Sequence, residues 1–214
     1  MLKFRHILAS SIFATGIAIA LAAPAAAQTV VDEWAKVQMP AAPQLKPVKI
    51  DPKTSALLVL DILKQSCNVE RRPRCVDSLP KMEKLLSDAR AHNVTVIYSI
   101  TTSTKAEDIL APVAPKGGEP MVAANADKFV GTDLDKILKD KGIQTVVIVG
   151  TTAEGAVLYT ASGAAFRGFN VIVPVEGSSA GSLFAEAATA WTLTNAPAVS
   201  AKTTLTKMDM ISYQ

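Results

Sequence analysis

Residues 145–157 read TVVIVGTTAEGAV, a short apolar run that leads through a glycine-bearing turn into a helical pattern. The β-branched residues from Thr145 to Val149 predict a strand that is buried on both faces. A helix is predicted to follow from Ala153 to Phe166. Free backbone N–H groups at the start of a helix can bind an anion or an oxyanion. The turn from Gly150 to Val157 is therefore the first candidate for a functional site.

Strand and helix patterns alternate on both sides of this turn. Further strands are predicted at residues 56–62, 94–100 and 171–175, with a last short strand near 198–201. Further helices are predicted at 78–93, with Ser78 as the N-terminal cap, at 132–142 and at 182–195. Such alternation implies right-handed crossovers and a parallel sheet covered on both faces. The sequence predicts a three-layer α-β-α, Rossmann-like α/β fold with a central, mainly parallel sheet.

The first 27 residues have the pattern of a secretory signal peptide. Lys3 and Arg5 form a basic start, residues 7–22 are almost entirely apolar, and small residues precede a cleavage site after Ala27. An uncleaved membrane anchor is the alternative, but the run is short for a full span and has no charged stop. We therefore expect a periplasmic or secreted protein that has no membrane attachment once the signal is removed.

The rest of the chain is predicted to be an arm followed by one domain. Residues 28–50 are rich in proline, alanine and glutamine and predict an extended N-terminal arm. Residues 51–214 have the length of a single domain with one sizeable core. Without Lys3 and Arg5, the 22 basic residues fall to 20, against 19 acidic ones. A nearly neutral chain with few aromatic residues argues against nucleic-acid binding and favours small molecules or proteins as partners.

Two charged residues could carry chemistry beyond the ends of the predicted strands, where open α/β sheets bind ligands. Asp61 closes the first buried strand, and desolvation there would raise its pKa and suit it to proton transfer. The simpler interpretation is an aspartate that caps a turn. Lys128 could pair with Asp61 and stabilise negative charge on a substrate, or it could be a solvated loop residue.

Glu154 and the two cysteines each allow more than one interpretation. Glu154 could contact substrate or activate water, or it could complement the helix dipole. Cys67 and Cys75 favour a disulfide in an exported chain, whereas a free thiol at Cys67 would be a candidate nucleophile. His92 is the only other soft ligand after residue 27, so no metal site is predicted. The turn at Gly150 lacks the spacing of a phosphate-binding loop, and no cofactor is predicted.

Three segments together resemble the isochorismatase-like, or cysteine hydrolase, family. They are ALLVLD ending at Asp61, KFVGTDL beginning at Lys128, and VVIVGTTAEGAV ending at Val157. The resemblance covers roughly residues 54–194. It implies the isochorismatase-like hydrolase fold, a homo-oligomer, and a catalytic Asp, Lys and Cys. Asp61 and Lys128 match the first two, and Ala156 occupies the position of the cysteine.

Ala156 changes the chemistry that the resemblance implies. A methyl group cannot attack a carbonyl or form a thioester, which argues against amidase chemistry of the nicotinamidase type. The metal-binding residues of nicotinamidases also have no match in residues 63–68. Isochorismatases need no thiol, because an Asp protonates the carbon of a vinyl ether and water attacks the resulting cation. By resemblance, Asp61 is the general acid and Lys128 orients it.

The resemblance also describes the turn around Thr151 and Thr152. It implies a cis peptide bond between these two residues, and backbone groups of Thr151, Thr152 and Ala156 that face the substrate. The first interpretation of the chain is therefore a hydrolase of a small molecule, a vinyl ether or an ester, that uses no cysteine nucleophile. The second is a non-catalytic protein that binds small molecules with the same fold. The third assigns the nucleophile to Cys67.

Overall fold

The computed structural model describes residues 28–214, and the predicted signal peptide, residues 1–27, lies outside them. The chain divides after Met39 into two compact units. In the first unit, helix α1 (Val30–Glu33) is followed by a 3-10 turn at Trp34–Lys36. The backbone N–H and the hydroxyl of Thr29 both donate to the Asp32 carboxylate, at 2.8 and 2.9 Å, and hold the start of α1.

The second unit, from Pro40 onward, alternates strands and helices. Its strands are β1 (Val48–Ile50), β2 (Ser55–Leu60), β3 (Thr95–Ile100), β4 (Met121–Ala123), β5 (Thr145–Thr151), β6 (Asn170–Pro174), β7 (Ser178–Ser179), β8 (Thr203–Thr206) and β9 (Ile211–Tyr213). Its helices are α2 (Pro73–Ala91), α3 (Leu134–Asp140), α4 (Leu158–Phe166) and α5 (Leu183–Asn195), and a π-helical segment at Ala153–Val157 leads into α4. In the described part of the chain, no helix is both long and apolar enough to cross a bilayer.

Seven of the described strands form one sheet, in which the strand pairs are parallel. The order is β4-β3-β2-β5-β6-β8, and β7 pairs with the end of β5. The central strand β2 has Leu60 opposite both Ser99 of β3 and Gly150 of β5. The carboxyl ends of these three strands therefore lie side by side, and the predicted parallel sheet is confirmed.

Helices cover both faces of the sheet because alternate side chains of β2 point to opposite sides. Leu58 packs in a cluster with Leu138 of α3 and residues of α4 and α5. Leu57 packs in a second cluster with Leu86 and other residues of α2. Full burial of such a leucine stabilises the fold by roughly 1.5–3 kcal/mol relative to exposure. The predicted three-layer arrangement is confirmed.

Two predicted boundaries differ from the structure. Helix α2 begins at Pro73 rather than after Ser78, because proline suits the first helical position, and the Ser78 hydroxyl instead donates to the Cys75 carbonyl within the helix. The last strand of the sheet lies at 203–206 rather than near 198–201, because residues 197–202 form turns after α5.

Part of the predicted arm, residues 40–50, makes backbone hydrogen bonds with the C-terminal part of the chain. Strand β1 pairs with β9, with Val48 opposite Ile211. The N–H of Lys46 donates to the carbonyl of Leu205 in edge strand β8 at 2.9 Å. This stretch therefore folds with the second unit.

Gly150 is required by the close approach of β2 and β5, since a Cβ there would lie 2.2 Å from the Leu60 carbonyl oxygen. We predict that Gly150→Ala lowers the free energy of unfolding by about 3–5 kcal/mol, from overpacking and backbone strain together. Gly168→Ala is the control, because Gly168 also has a positive φ, 91°, but open space around its Cβ position. It should cost about 1–2 kcal/mol. Urea denaturation followed by circular dichroism measures both, and equal losses would contradict the steric explanation.

Candidate functional site

Asp61 directly follows β2 and turns the chain out of the sheet. Its φ of 51° lies in the left-handed region, which aspartate tolerates better than most residues. Its carbonyl oxygen accepts hydrogen bonds from Ser66 Oγ at 2.6 Å and from Thr151 Oγ1 at 2.9 Å. Asp61 is thereby attached both to the loop that follows it and to the end of β5.

The carboxylate of Asp61 is held at both of its oxygens. Ser99 Oγ of β3 donates to Oδ1 at 2.7 Å, and Lys128 Nζ donates to Oδ2 at 2.6 Å. The side chains of Asp61 and Lys128 are 7% and 0% exposed, so this ion pair is buried. A buried carboxylate with a charged partner and a hydroxyl donor has a defined orientation, which is what proton transfer requires.

Lys128 reaches Asp61 from the segment before α3, and its ammonium group makes three hydrogen bonds. The acceptors are Asp61 Oδ2 and the carbonyl oxygens of Ala124 and Asn125, each at 2.6 Å. An ammonium has three N–H donors, so all of them are used. In this arrangement Lys128 orients and neutralises Asp61, and it has no N–H left for a ligand.

Burial moves the pKa values of the two groups toward each other. Desolvation raises the pKa of Asp61, against the opposing effects of the Lys128 charge and of the hydrogen bonds from Lys128 and Ser99. Desolvation likewise lowers the pKa of Lys128, opposed by the charge of Asp61. A carboxyl whose pKa is raised accepts a proton more readily near neutral pH, and the neighbouring cation stabilises it again after the proton has left.

The turn after β5 contains a cis peptide bond between Thr151 and Thr152, as the resemblance implies. The Thr152 carbonyl accepts from the N–H groups of Gly155 and Val157, each at 3.1 Å, and so begins the π-helical segment. Within residues 28–214, the N–H groups of Ala153 and Glu154 have no hydrogen-bond acceptor. Unpaired N–H groups at a helix start can stabilise negative charge on a bound group.

Ala156 lies in the π-helical segment and is 4% exposed. Thr160, about one turn further along, accepts the backbone N–H of Lys128 through Oγ1 at 3.1 Å. Residues one turn apart lie on the same helix face, so Ala156 is on the face that packs against the Lys128 segment. The structure thus brings the segments of Asp61, Lys128 and Ala156 to one edge of the sheet.

Cys67 and Cys75 are buried and joined by a disulfide bond. A sulfur in a disulfide cannot act as a thiolate nucleophile, so the assignment of the nucleophile to Cys67 is contradicted. Glu154 is exposed at the start of the π-helical segment. Among the described residues, no three His, Cys, Asp or Glu side chains form a cluster that could hold a metal ion.

Ser99, which is 1% exposed and donates to Asp61, was not among the site residues predicted from the sequence. A signal was present, because Ser99 is a small polar residue among the apolar residues Val96, Ile97 and Ile100 near the end of a strand. Ser66 was missed for a different reason. Its contact with Asp61 depends on how the loop after β2 folds, which no local pattern predicts.

The fold and the buried acid–lysine pair define a three-layer α/β protein of the isochorismatase-like hydrolase type. The isochorismatase domain family matches residues 55–204, which is more than half of the chain. The chain therefore belongs to the isochorismatase family. A solved structure of an isochorismatase-like hydrolase from Alkaliphilus metalliredigens has the same fold, with a TM-score of 0.66 and 23% identity over 73% of this chain and 95% of the other.

Two relatives are similar in sequence over part of their length. The chain is 33% identical over 107 residues to Isc1, a secreted isochorismatase effector of Verticillium dahliae, which covers 45% of this chain and 56% of the relative. It is 38% identical over 65 residues to an N-carbamoylsarcosine amidase of an Arthrobacter species, covering 30% and 25%. The chain thus spans about half and about a quarter of the lengths of these two relatives.

Replacing Lys128 by methionine leaves Asp61 buried without its cation. We predict that Lys128→Met lowers the free energy of unfolding by about 3–5 kcal/mol near neutral pH. The loss should shrink in acid. Without Lys128 the folded-state pKa of Asp61 rises further above its unfolded value of 3.8, so the folded state binds the proton first and gains stability as the pH falls through that raised pKa toward 3.8.

Urea denaturation of wild type and Lys128→Met at about pH 5 and about pH 8 measures this dependence. The control is Lys136→Met, since Lys136 is exposed and pairs with Asp140 on the surface of α3. Lys136→Met should have a stability close to that of wild type at both pH values, because an exposed ion pair contributes little. A loss for Lys128→Met that does not change with pH would show that Asp61 does not become protonated.

Proposed function

We propose that this chain is a hydrolase of a small molecule in which water attacks directly, with Asp61 as the proton donor and acceptor and Lys128 as its orienting partner. The observation that carries the proposal is the buried contact of 2.6 Å between Lys128 Nζ and Asp61 Oδ2. This contact lies beside the cis Thr151–Thr152 turn, because Thr151 Oγ1 binds the Asp61 carbonyl. Membership of the isochorismatase family supports hydrolysis of a small substrate.

For a vinyl ether substrate, the proposed reaction begins with Asp61 in its protonated form. Its carboxyl donates the proton to the terminal carbon of the double bond, whose π electrons form the new C–H bond. A lone pair of the ether oxygen then stabilises the electron-deficient carbon as an oxocarbenium ion. Water adds to this cation and returns a proton to Asp61, and the resulting hemiketal breaks down into a ketone and an alcohol. Lys128 stabilises the carboxylate during the interval in which Asp61 has lost its proton.

Ala156 occupies the cysteine position of the family in this proposal. Its methyl group cannot form an acyl intermediate, so a covalent route is closed and water must attack the substrate itself. The backbone of Thr151, Thr152 and Ala156 faces the substrate. For an ester substrate, the unpaired N–H groups in this turn stabilise the negative charge that develops on the carbonyl oxygen when water attacks. Glu154, which is exposed in the same turn, is placed to contact a substrate at the rim of the site.

A non-catalytic protein that binds small molecules is the second candidate function. The alanine at position 156 favours it, and so does the complete use of the Lys128 donors, which a purely structural ion pair would also show. The two candidates differ in what Asp61 does. In a binding protein Asp61 affects affinity and stability, whereas in the hydrolase it also affects turnover.

We also propose that the chain is exported and then assembles as a homo-oligomer. Export is supported by the signal peptide pattern of residues 1–27 and by the similarity to Isc1, which is a secreted effector. Homo-oligomers are implied by the resemblance to the family. Cleavage after Ala27 places the mature protein in the periplasm or outside the cell.

The hydrolase proposal predicts that turnover depends on Asp61. Asp61→Asn keeps the shape of the side chain but removes its acid, and kcat/KM should fall by about 10²- to 10⁴-fold. The assay measures pyruvate release from isochorismate and p-nitrophenol release from aryl esters. Asp140→Asn, an exposed change on α3, should leave both rates unchanged. Equal activity of Asp61→Asn and wild type would contradict the acid role, and ligand binding without turnover would favour the binding protein.

Assignment of Ala156 to the nucleophile position predicts that a thiol there is reactive. Ala156→Cys should release p-nitrophenol from p-nitrophenyl acetate in a burst of about one equivalent per chain, since the acyl group is transferred to the new thiol. The wild type should give no thiol-dependent burst, because both native cysteines are in the disulfide. Ala153→Cys, a buried neighbour in the same segment, should give no burst. Equal bursts from both variants would argue against the assignment.

A further inference from the structure

Arg72 differs from the other partly buried arginines of the described chain in having no carboxylate partner. Arg74 and Arg90 each pair with a glutamate, Arg74 Nε with Glu186 at 2.9 Å and Arg90 Nε with Glu119 at 2.8 Å. Arg72 Nη1 donates only to the carbonyl of Ser66, at 2.7 Å. Its Nε is shielded from solvent and has no acceptor among residues 28–214. A shielded N–H of a cation without an acceptor is costly, and a bound anion would remove that cost.

The guanidinium of Arg72 lies next to the Asp61 site. Ser66, which accepts its hydrogen bond, also donates its own hydroxyl to the carbonyl of Asp61 at 2.6 Å. One residue therefore connects the guanidinium to the backbone of the proposed acid. Burial and the charge of Arg71 lower the pKa of Arg72, and the charge of Glu154 opposes this shift. Arg72 is thus linked by hydrogen bonds to the Asp61 loop.

The position of Arg72 is restrained by the loop that carries it. The loop is closed by the disulfide between Cys67 and Cys75, which are eight residues apart. The backbone N–H of Arg72 donates to the Asn68 carbonyl at 2.8 Å, and Pro73 then begins α2. A cation on a restrained loop loses little conformational freedom when a ligand binds, and this favours affinity.

If Arg72 had only a structural role, its single hydrogen bond to the Ser66 carbonyl would be its whole contribution. Arg71, its exposed neighbour, makes a comparable bond from Nη1 to the Gln65 carbonyl at 3.2 Å. The guanidinium of Arg72 has five N–H donors in a planar fork, which matches the two oxygens of a carboxylate. Most of these donors are not used by the described protein, so the geometry favours a ligand over a purely structural contact.

We propose that Arg72 binds a carboxylate of the substrate, and that the protein acts on a small organic acid. The inference rests on the proposed function, because it assigns the substrate class of the Asp61 site. The carboxylate contacts the Arg72 fork, and the reacting part of the molecule then lies toward Asp61 and the turn from Gly150 to Val157. Glu154 opposes the negative charge of the ligand, so it limits affinity for anions rather than adding to it.

The test compares acids with their neutral amides of nearly equal shape. Calorimetric titrations of the full exported chain use pyruvate, benzoate and isochorismate, with pyruvamide and benzamide as the uncharged probes. We expect the acids to bind more tightly than the amides. Arg72→Gln should weaken binding of the acids by about ten- to a hundredfold and leave the amides unchanged, since only the charged hydrogen bonds are lost.

Three further variants separate this role from a structural one. Arg71→Gln removes the same charge from the same loop and should change affinity for the acids by less than about twofold. Arg72→Lys keeps the charge without the fork and should bind the acids with intermediate affinity. Glu154→Gln should tighten binding of the acids, because it removes the opposing charge. The inference is overturned if wild type shows no preference for any acid over its amide, or if Arg71→Gln and Arg72→Gln lose affinity equally.

The outcomes for the two proposals can be told apart. Arg72-dependent binding of acids, in a protein that hydrolyses neither vinyl ether nor ester, would keep the carboxylate site and reject the hydrolase. Hydrolysis that requires Asp61 but has the same KM in wild type and Arg72→Gln would keep the hydrolase and reject the carboxylate site.

Discussion

The buried ion pair between Asp61 and Lys128 is the interaction on which the rest of the site depends. Removing two charges from water is expensive, and the cost is recovered only when every remaining donor and acceptor is satisfied. Here the carboxylate is satisfied by Ser99 and Lys128, and the ammonium by Asp61 and two backbone carbonyls. Satisfying them brings together β2, β3 and the segment before α3, so one electrostatic requirement positions three parts of the chain.

Gly150 supplies the second constraint, because the backbones of β2 and β5 approach too closely there for a side chain. The approach lets Thr151 bind the carbonyl of Asp61, so the acid and the turn are held as one unit. A π-helical segment then starts after the strand, and the N–H groups of Ala153 and Glu154 at its start have no acceptor among the described residues.

Local sequence patterns predicted the secondary structure of the protein more completely than the residues of its candidate site. Strands such as β2 and β5 are continuous apolar runs, and their burial on both faces follows from composition. The start of α2 was predicted too late in the chain. Ser78 is a suitable helix cap, and no local signal showed that the helix already begins at Pro73. Ser99 could have been found as a small polar residue near the end of a largely apolar strand. Arg72 could not, since its lack of a partner becomes visible only beside Arg74 and Arg90 in three dimensions.

The sequence by itself determined the α/β layers, the order of the strands along the chain, and which residues are able to carry a proton or a charge. These properties depend on side-chain chemistry and on periodicities of two and 3.6 residues, which are local. Only the tertiary structure decided that Asp61 meets Lys128, 67 residues away, and that the ammonium of Lys128 uses all three of its donors. It also decided that the buried Nε of Arg72 has no acceptor among residues 28–214. Those facts depend on which groups share a space without water, and that is a property of the packed chain as a whole.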